Sequence, residues 1–201
     1  MTLRDVPGRR PVLSHELLHA GMIWDLVRET VDLGEAGVVR REYVRHPGAV
    51  AVLALDEAER VLLVRQYRHP VGAELWELPA GLLDVPGEPH VAAAARELAE
   101  EADLVAGSWW HLVDYLASPG GSDEVVRVYL ARDLTDVPQG DRHVRTHEEH
   151  GMVAERVPLD DAVTAVLDGR VRNPSAVIGV LAAAAARTRG WTGLPRADVD
   201  A

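Results

Sequence analysis

Arg96, Glu97, Glu100 and Glu101 belong to the hexapeptide Arg-Glu-Leu-Ala-Glu-Glu, inside the Ala/Glu-rich run 90–102. That run has the composition of a strong helix. At about 100° per residue, the three glutamates fall within an arc of about 100°. Val91, Ala95, Leu98 and Ala102 take the opposite face and can pack on a sheet. Three carboxylates on one face with one basic neighbour repel each other, by a few tenths of a kcal/mol per i,i+4 pair. A hard divalent cation with oxygen ligands removes that repulsion. A solvated acidic face is the commoner use of such a helix, so the elements around it decide between the two.

Those elements can be placed from the sequence. Residues 14–46 read as antiparallel extended segments, with turns near Gly34 and Gly37. The runs 49–55 and 60–68 are rich in Val and Leu and are expected to form a buried hairpin around the turn 56–60. Residues 74–81 read as a short strand ending in a Pro/Gly loop that feeds the acidic helix. Two more strands are expected near 109–117 and 124–132, flanking the turn-rich segment 118–124. Residues 135–151 read as a polar loop, followed by a last strand at Ala154–Leu159. Helices are expected at 159–168 and 174–188, the second with Asn173 as N-cap and Pro174 in its first position. The expected organisation is a strand arm at 1–46 that serves dimerisation, a catalytic domain at 47–189 and a frayed tail at 190–201.

Composition narrows the chemistry. The 201 residues include no cysteine, which excludes disulfides, thiolate zinc sites and thiol catalysis. The net charge of −11 repels phosphate backbones and argues against nucleic-acid binding. A small phosphorylated substrate is compatible with that charge once a metal and local arginines offset it. All 21 basic residues are arginine. The longest apolar run, 176–186, is about half a membrane span, and residues 1–11 lack the apolar core of a signal peptide. A soluble, cytoplasmic protein without a membrane partner is the expectation.

The strand–loop–helix segment Glu77–Leu104 resembles the Nudix box, whose usual pattern is Gly, five residues, Glu, seven residues, then Arg-Glu-apolar-X-Glu-Glu-X-Gly-apolar. Gly81 is the first glycine, Glu88 the first glutamate, and Arg96 to Glu101 the core, ending in Leu104. Two departures are visible: six residues separate Gly81 from Glu88, and Asp103 replaces the second glycine. In the family the first Glu is mainly a partner of the Arg, so the longer loop should leave the metal face intact. Asp tolerates a left-handed conformation better than most residues. The segments 48–55, 61–72, 75–88 and 118–124 extend the likeness to the ADP-ribose pyrophosphatase branch of the Nudix hydrolases, over roughly residues 15–185. Pro119, fifteen residues past Leu104, matches a specificity mark of that branch.

The resemblance implies an α/β fold, a Nudix-type α/β/α sandwich with a mixed central sheet, and Mg²⁺-dependent hydrolysis of the pyrophosphate of ADP-ribose, with Mn²⁺ as an alternative metal. It implies metal ligation by the Ala80 carbonyl, Glu97 and Glu101, with Glu100 in the same catalytic cluster. In the loop 146–151 it favours Glu149 as general base, with Glu148 as the alternative. Arg41 and Arg68 match positions that hold phosphates or the terminal ribose, a task suited to the guanidinium fork. Glu77 could accept from a base amine or ribose hydroxyl, Trp24 could stack on adenine, and Ser122 with Glu124 would shape the terminal-ribose side. His143, His147 and His150 sit in a loop that fixes no metal-ligand spacing, so no zinc site is expected. A homodimer built by the N-terminal strands is also implied. Another nucleoside-diphosphate sugar, a dinucleotide, or a non-catalytic ligand sensor are the competing readings; the intact glutamates argue against the sensor.

Overall fold

The computed structural model describes residues 3–145 and 151–199. The chain divides into two units, one of residues 1–47 with 116–124, the other of 48–115 with 125–201.

In the first unit, β1 (Val12–Ala20), β2 (Asp25–Asp32) and β3 (Val38–Arg45) form an antiparallel meander. The β2–β3 turn is closed by the Asp32 carboxylate, which accepts from the Gly34 N–H at 2.8 Å. Gly34 and Gly37 there both have positive φ, which explains their residue type. The segment 116–124 is stitched to β3: Gly121 accepts from the Val44 N–H, and the Val44 carbonyl accepts from the Asp123 N–H. Val27 is the one hydrophobic residue of this sheet that is fully buried among the described residues, so the sheet has little core of its own. Cross-strand pairs Arg28–Glu42 and Arg45–Asp25 line its surface.

The second unit is built on β4 (Ala49–Ala54), which is parallel to β9 (Val125–Asp136) and antiparallel to β7 (Ala80–Leu82). With β8 (Leu104–Leu116) and β11 (Arg196–Ala197) they form a mixed sheet of order β11-β8-β9-β4-β7. Period-2 alternation along β4 sends Val50, Val52 and Ala54 to one face and Ala51, Leu53 and Leu55 to the other. The first face is covered by α1 (His90–Ala102) through Val91, Ala94 and Leu98. The second is covered by α2 (Leu159–Leu167) and α3 (Pro174–Thr188) through Leu159, Ala162, Ala176, Val180 and Ala183. This is the expected α/β/α sandwich with a mixed sheet. Asn173 caps α3, its side chain accepting from the Ala176 N–H at 3.1 Å.

A second sheet, of order β10-β5-β6, joins β5 (Arg60–Arg68), β6 (Ala73–Glu77) and β10 (Val153–Pro158). Here the structure corrects the expected β4–β5 hairpin. Those strands share one bridge, Leu55 with Val61, and otherwise pair in different sheets. Both edges of β4 are already filled by β9 and β7, so β5 must find partners elsewhere. The expected strand 74–81 is likewise divided at Leu78–Pro79 into β6 and β7, one in each sheet. The segment read as a frayed tail carries β11, which pairs with Trp109 and Trp110 of β8. The Arg196 guanidinium lies 5.3 Å from the Trp110 ring centroid.

Candidate active site

The acidic helix meets the Ala80–Gly81 segment because β7 lies at the edge of the sheet that α1 covers. Glu101 is 7% exposed, and its Oε2 accepts from the Ala80 N–H at 2.9 Å. It therefore lies closer to the core than a fully solvated acidic face requires. Glu97 rests on Gly81: a Cβ there would fall 2.0 Å from Glu97 Cδ and 2.1 Å from Oε1. The glycine supplies a cradle that any side chain would fill.

Arg96 is the hub of this face. Its Nε and Nη2 donate to the two carboxylate oxygens of Glu88, both at 3.1 Å. This is the partnership the resemblance implied, and the longer loop leaves it intact. Nη1 donates to Glu97 Oε1 at 2.5 Å and lies 3.5 Å from Glu100 Oε2. The Glu88 hydrogen bond, then the charge of Glu97, holds the Arg96 guanidinium further above its ordinary value against the opposing effect of burial.

Among the described residues, no group of three or more His, Asp or Glu side chains is already placed to hold a metal ion. The reason is visible: Arg96 draws Glu97 and Glu100, while the Ala80 N–H draws Glu101. The donor set nevertheless fits a divalent cation, since Glu97, Glu100, Glu101 and the Ala80 carbonyl offer only hard oxygens. The Gly81 cradle places Glu97 beside the same backbone that Glu101 grips.

Glu77 and Arg68 are brought together as a pair. Arg68 Nε and Nη2 reach Glu77 Oε1 and Oε2 at 3.0 and 2.7 Å. Glu77 is 2% exposed, whereas the Arg68 side chain is 41% exposed. Both oxygens of Glu77 are thus engaged by Arg68, and Arg68 is the member of the pair that solvent reaches.

In the first unit, Arg41 lies on β3 opposite Glu29 and is exposed, with Nη1 donating to the Arg40 carbonyl at 2.9 Å. Ser122 bridges to Val44, and its Oγ accepts from the Glu124 N–H at 3.0 Å. Trp24 is exposed at the β1–β2 turn. His143 is exposed. Glu148, Glu149, His147 and His150 lie outside the described residues.

Asp103, in the second-glycine position, has φ 55° and ψ 35° and accepts the helix-end role expected of it, its N–H donating to the Ala99 and Leu98 carbonyls. Arg145, to which the box pattern does not point, donates from Nη2 to Asp103 Oδ2 at 2.7 Å and from Nε to the Glu100 carbonyl at 3.0 Å. Asp103 itself, as a departure from the pattern, was the one available signal.

The chain belongs to the Nudix family: the family model for the NUDIX domain matches residues 44–177. Enzymes of this family generally use a divalent metal. The ADP-ribose pyrophosphatase of Mycobacterium tuberculosis is 48% identical over 176 residues, spanning 88% of this chain and 84% of that protein. The ADP-ribose pyrophosphatase of Bacillus subtilis is 36% identical over 154 residues, 77% of this chain and 81% of that one. A solved structure described as an ADP compounds hydrolase superposes with a TM-score of 0.68 at 21% identity, covering 94% of this chain and 96% of its own, which supports the fold. Among the described residues no helix is long and apolar enough to cross a membrane.

Proposed function

We propose that this chain hydrolyses the pyrophosphate of ADP-ribose to AMP and ribose 5-phosphate with Mg²⁺ as the working metal. The observation that carries this reading is the convergence of Glu97 and Glu101 on the Ala80–Gly81 backbone. The names of the two relatives support the choice of substrate.

In this reading Glu97, Glu101 and the Ala80 carbonyl hold the cation, with Glu100 beside them. A bound divalent cation neutralises pyrophosphate charge and makes water more acidic. Arg96, locked by Glu88, keeps the acidic face together before substrate arrives. Glu149 accepts the proton of the attacking water as its oxygen bonds to phosphorus and the bridging P–O bond breaks. Arg68, held by Glu77, presents its guanidinium to phosphate or ribose oxygens, and Arg41 and Ser122 contribute further substrate contacts.

The same reading takes the protein as a homodimer. Leu13, Leu17 and Val38 are exposed on this sheet and Ile23 at its β1–β2 turn, and a second copy would cover them. Arg41 on that sheet would then serve the partner's site.

Phosphate release should be measured after phosphatase treatment of the products, over a panel of nucleotide sugars and dinucleotides, with Mg²⁺, Mn²⁺ or chelator. ADP-ribose with Mg²⁺ should give the highest kcat/KM. A clear preference for another nucleotide sugar would move the substrate assignment, and turnover in chelator would remove the metal assignment.

A further inference from the structure

Beside α2 the β10-β5-β6 sheet carries a groove of about 500 Å³. Strand register assembles its sheet side. Leu63 lies opposite Glu155, Arg65 opposite Trp76 and Val61 opposite Val157, so Leu63, Trp76, Glu155 and Val157 share one face. β10 runs at Pro158 directly into α2, which packs on β5 and β10 and adds Asp161, Ala162 and Ala165 to the groove. Glu77, which holds Arg68, follows Trp76 in β6 and pairs with Val64, which places it on the opposite face. The groove is thus separate from the Arg68–Glu77 pair.

Its floor is apolar: Leu63, Ala162 and Ala165 are buried, and the half-buried Trp76 adds an aromatic surface. Its rim is acidic. Glu155 and Asp161 are both exposed, and neither carboxylate forms an ion pair or a hydrogen bond among the described residues. The charges around them are already matched. Asp160 is held by Arg187, Arg156 lies 3.7 Å from Asp56, and Arg65 lies 3.4 Å from Glu74. Arg170, the cation that lines the groove, is 3.1 Å from Asp168. Two uncompensated negative charges therefore remain on the rim.

That combination selects one ligand chemistry. The rim attracts a positive charge and repels phosphates, so a nucleotide does not suit it. The floor takes an apolar body, and an indole ring adds an attraction for a cation over its face. The Arg65 guanidinium, 5.5 Å from the Trp76 ring centroid, shows that this ring already accepts a cationic neighbour. We propose that the groove between α2 and the β10-β5-β6 sheet is a second ligand site, for an organic cation that carries an ammonium, amidinium or guanidinium group on an apolar body. Glu155 and Asp161 pair with the charge, and Trp76 with the aliphatic floor covers the body. The site stands on its own geometry and does not depend on the substrate assigned above.

Calorimetric titration of the full chain in Mg²⁺ with benzamidine tests it, with benzamide as the neutral analogue of the same shape. Benzamidine should bind with one site per chain and a Kd of about a millimolar, and benzamide should bind at least about threefold more weakly. The double variant Glu155→Gln/Asp161→Asn changes two exposed side chains and carries little risk to the fold. It should weaken benzamidine about three- to tenfold, leave benzamide as it was, and turn over ADP-ribose like the wild type. Trp76→Leu should weaken both probes about threefold or more. Raising the salt concentration should weaken benzamidine and not benzamide. Glu97→Gln, on the face of α1, should leave benzamidine binding unchanged. Equal affinity for the two probes, unaltered benzamidine binding in the double variant, or no saturable binding up to about 10 mM would overturn the proposal. Loss of binding in Glu97→Gln alone would place the cation on the carboxylate face of α1 and overturn it as well.

Discussion

Glu97 lies in the space that a side chain on residue 81 would need: an ideal Cβ on Gly81 would sit 2.0 Å from Glu97 Cδ. No rotamer change at position 81 can relieve this, because Cβ has a fixed place on the backbone. Gly81→Ala must therefore push Glu97 off the Ala80–Gly81 segment. Mg²⁺-dependent turnover should fall by about a hundredfold or more, as expected when a reacting constellation is displaced by about 1 Å. The Mg²⁺ concentration for half-maximal rate should rise. Circular dichroism should remain that of the wild type, and kinetics that do not change would show that Glu97 need not rest there.

Arg96 holds three carboxylates at once, Glu88, Glu97 and Glu100. Arg96→Met keeps most of the stem and leaves the acids facing each other without their cation. In chelator the variant should lose about 1–3 kcal/mol, less than a fully buried pair because Arg96 retains some solvent contact. Mg²⁺ should return more of that stability to the variant than it adds to the wild type. Thermal melts with and without Mg²⁺ measure this, and an equal Mg²⁺ response in both proteins would contradict it.

Arg68 and Glu77 are unequal partners, one half exposed and the other buried. Arg68→Ala strands a buried carboxylate and should destabilise by about 1–3 kcal/mol at neutral pH. Adding Glu77→Gln should recover part of that loss, since a neutral amide is less costly to bury. Arg68→Lys should mainly raise KM for ADP-ribose, because an ammonium cannot reproduce the fork. Denaturant melts and a KM-against-kcat comparison check the two halves separately.

The elements that could be read from the sequence were those whose signals are local. The acidic helix ends where its Ala/Glu run ends, and Asn173–Pro174 marks the start of α3, as capping chemistry dictates. Partner choice between strands is not local. The alternation of 49–55 and 60–68 is the same whether they pair with each other or, as here, with β9, β7, β6 and β10. The site was legible to the same degree. The spacing of Glu97, Glu100 and Glu101 predicts a shared face, but not that Arg96 occupies it or that Glu77 is engaged by Arg68. The grip of Arg145 on a helix end 42 residues earlier had no trace in spacing at all.

Glu29 gives the first unit a pH dependence. Burial pushes its carboxyl upward, but hydrogen bonds from His15 and Arg9 outweigh that and hold it below its ordinary value near 4.5. A depressed carboxyl stabilises the fold fully above its unfolded value, and the contribution is lost as pH falls through the lower folded value. Hydrogen exchange in β1–β3 should therefore accelerate below about pH 4 more than in β4 or β9. Glu29→Gln should remove most of that pH dependence. Uniform acceleration across both units, unaltered in the variant, would contradict the assignment.

Product formation from ADP-ribose by the wild type, Glu97→Gln and Glu101→Gln, each at saturating Mg²⁺ and in chelator, tests the carboxylate face as the metal site of a pyrophosphohydrolase. An amide in place of either carboxylate weakens a hard-cation site while keeping the side chain's size. AMP and ribose 5-phosphate should form in equal amounts from the wild type with Mg²⁺ and not at all in chelator, with rates lowered about a hundredfold or more in each folded variant. Near wild-type rates in either variant, or metal-independent formation of the same products, would contradict it.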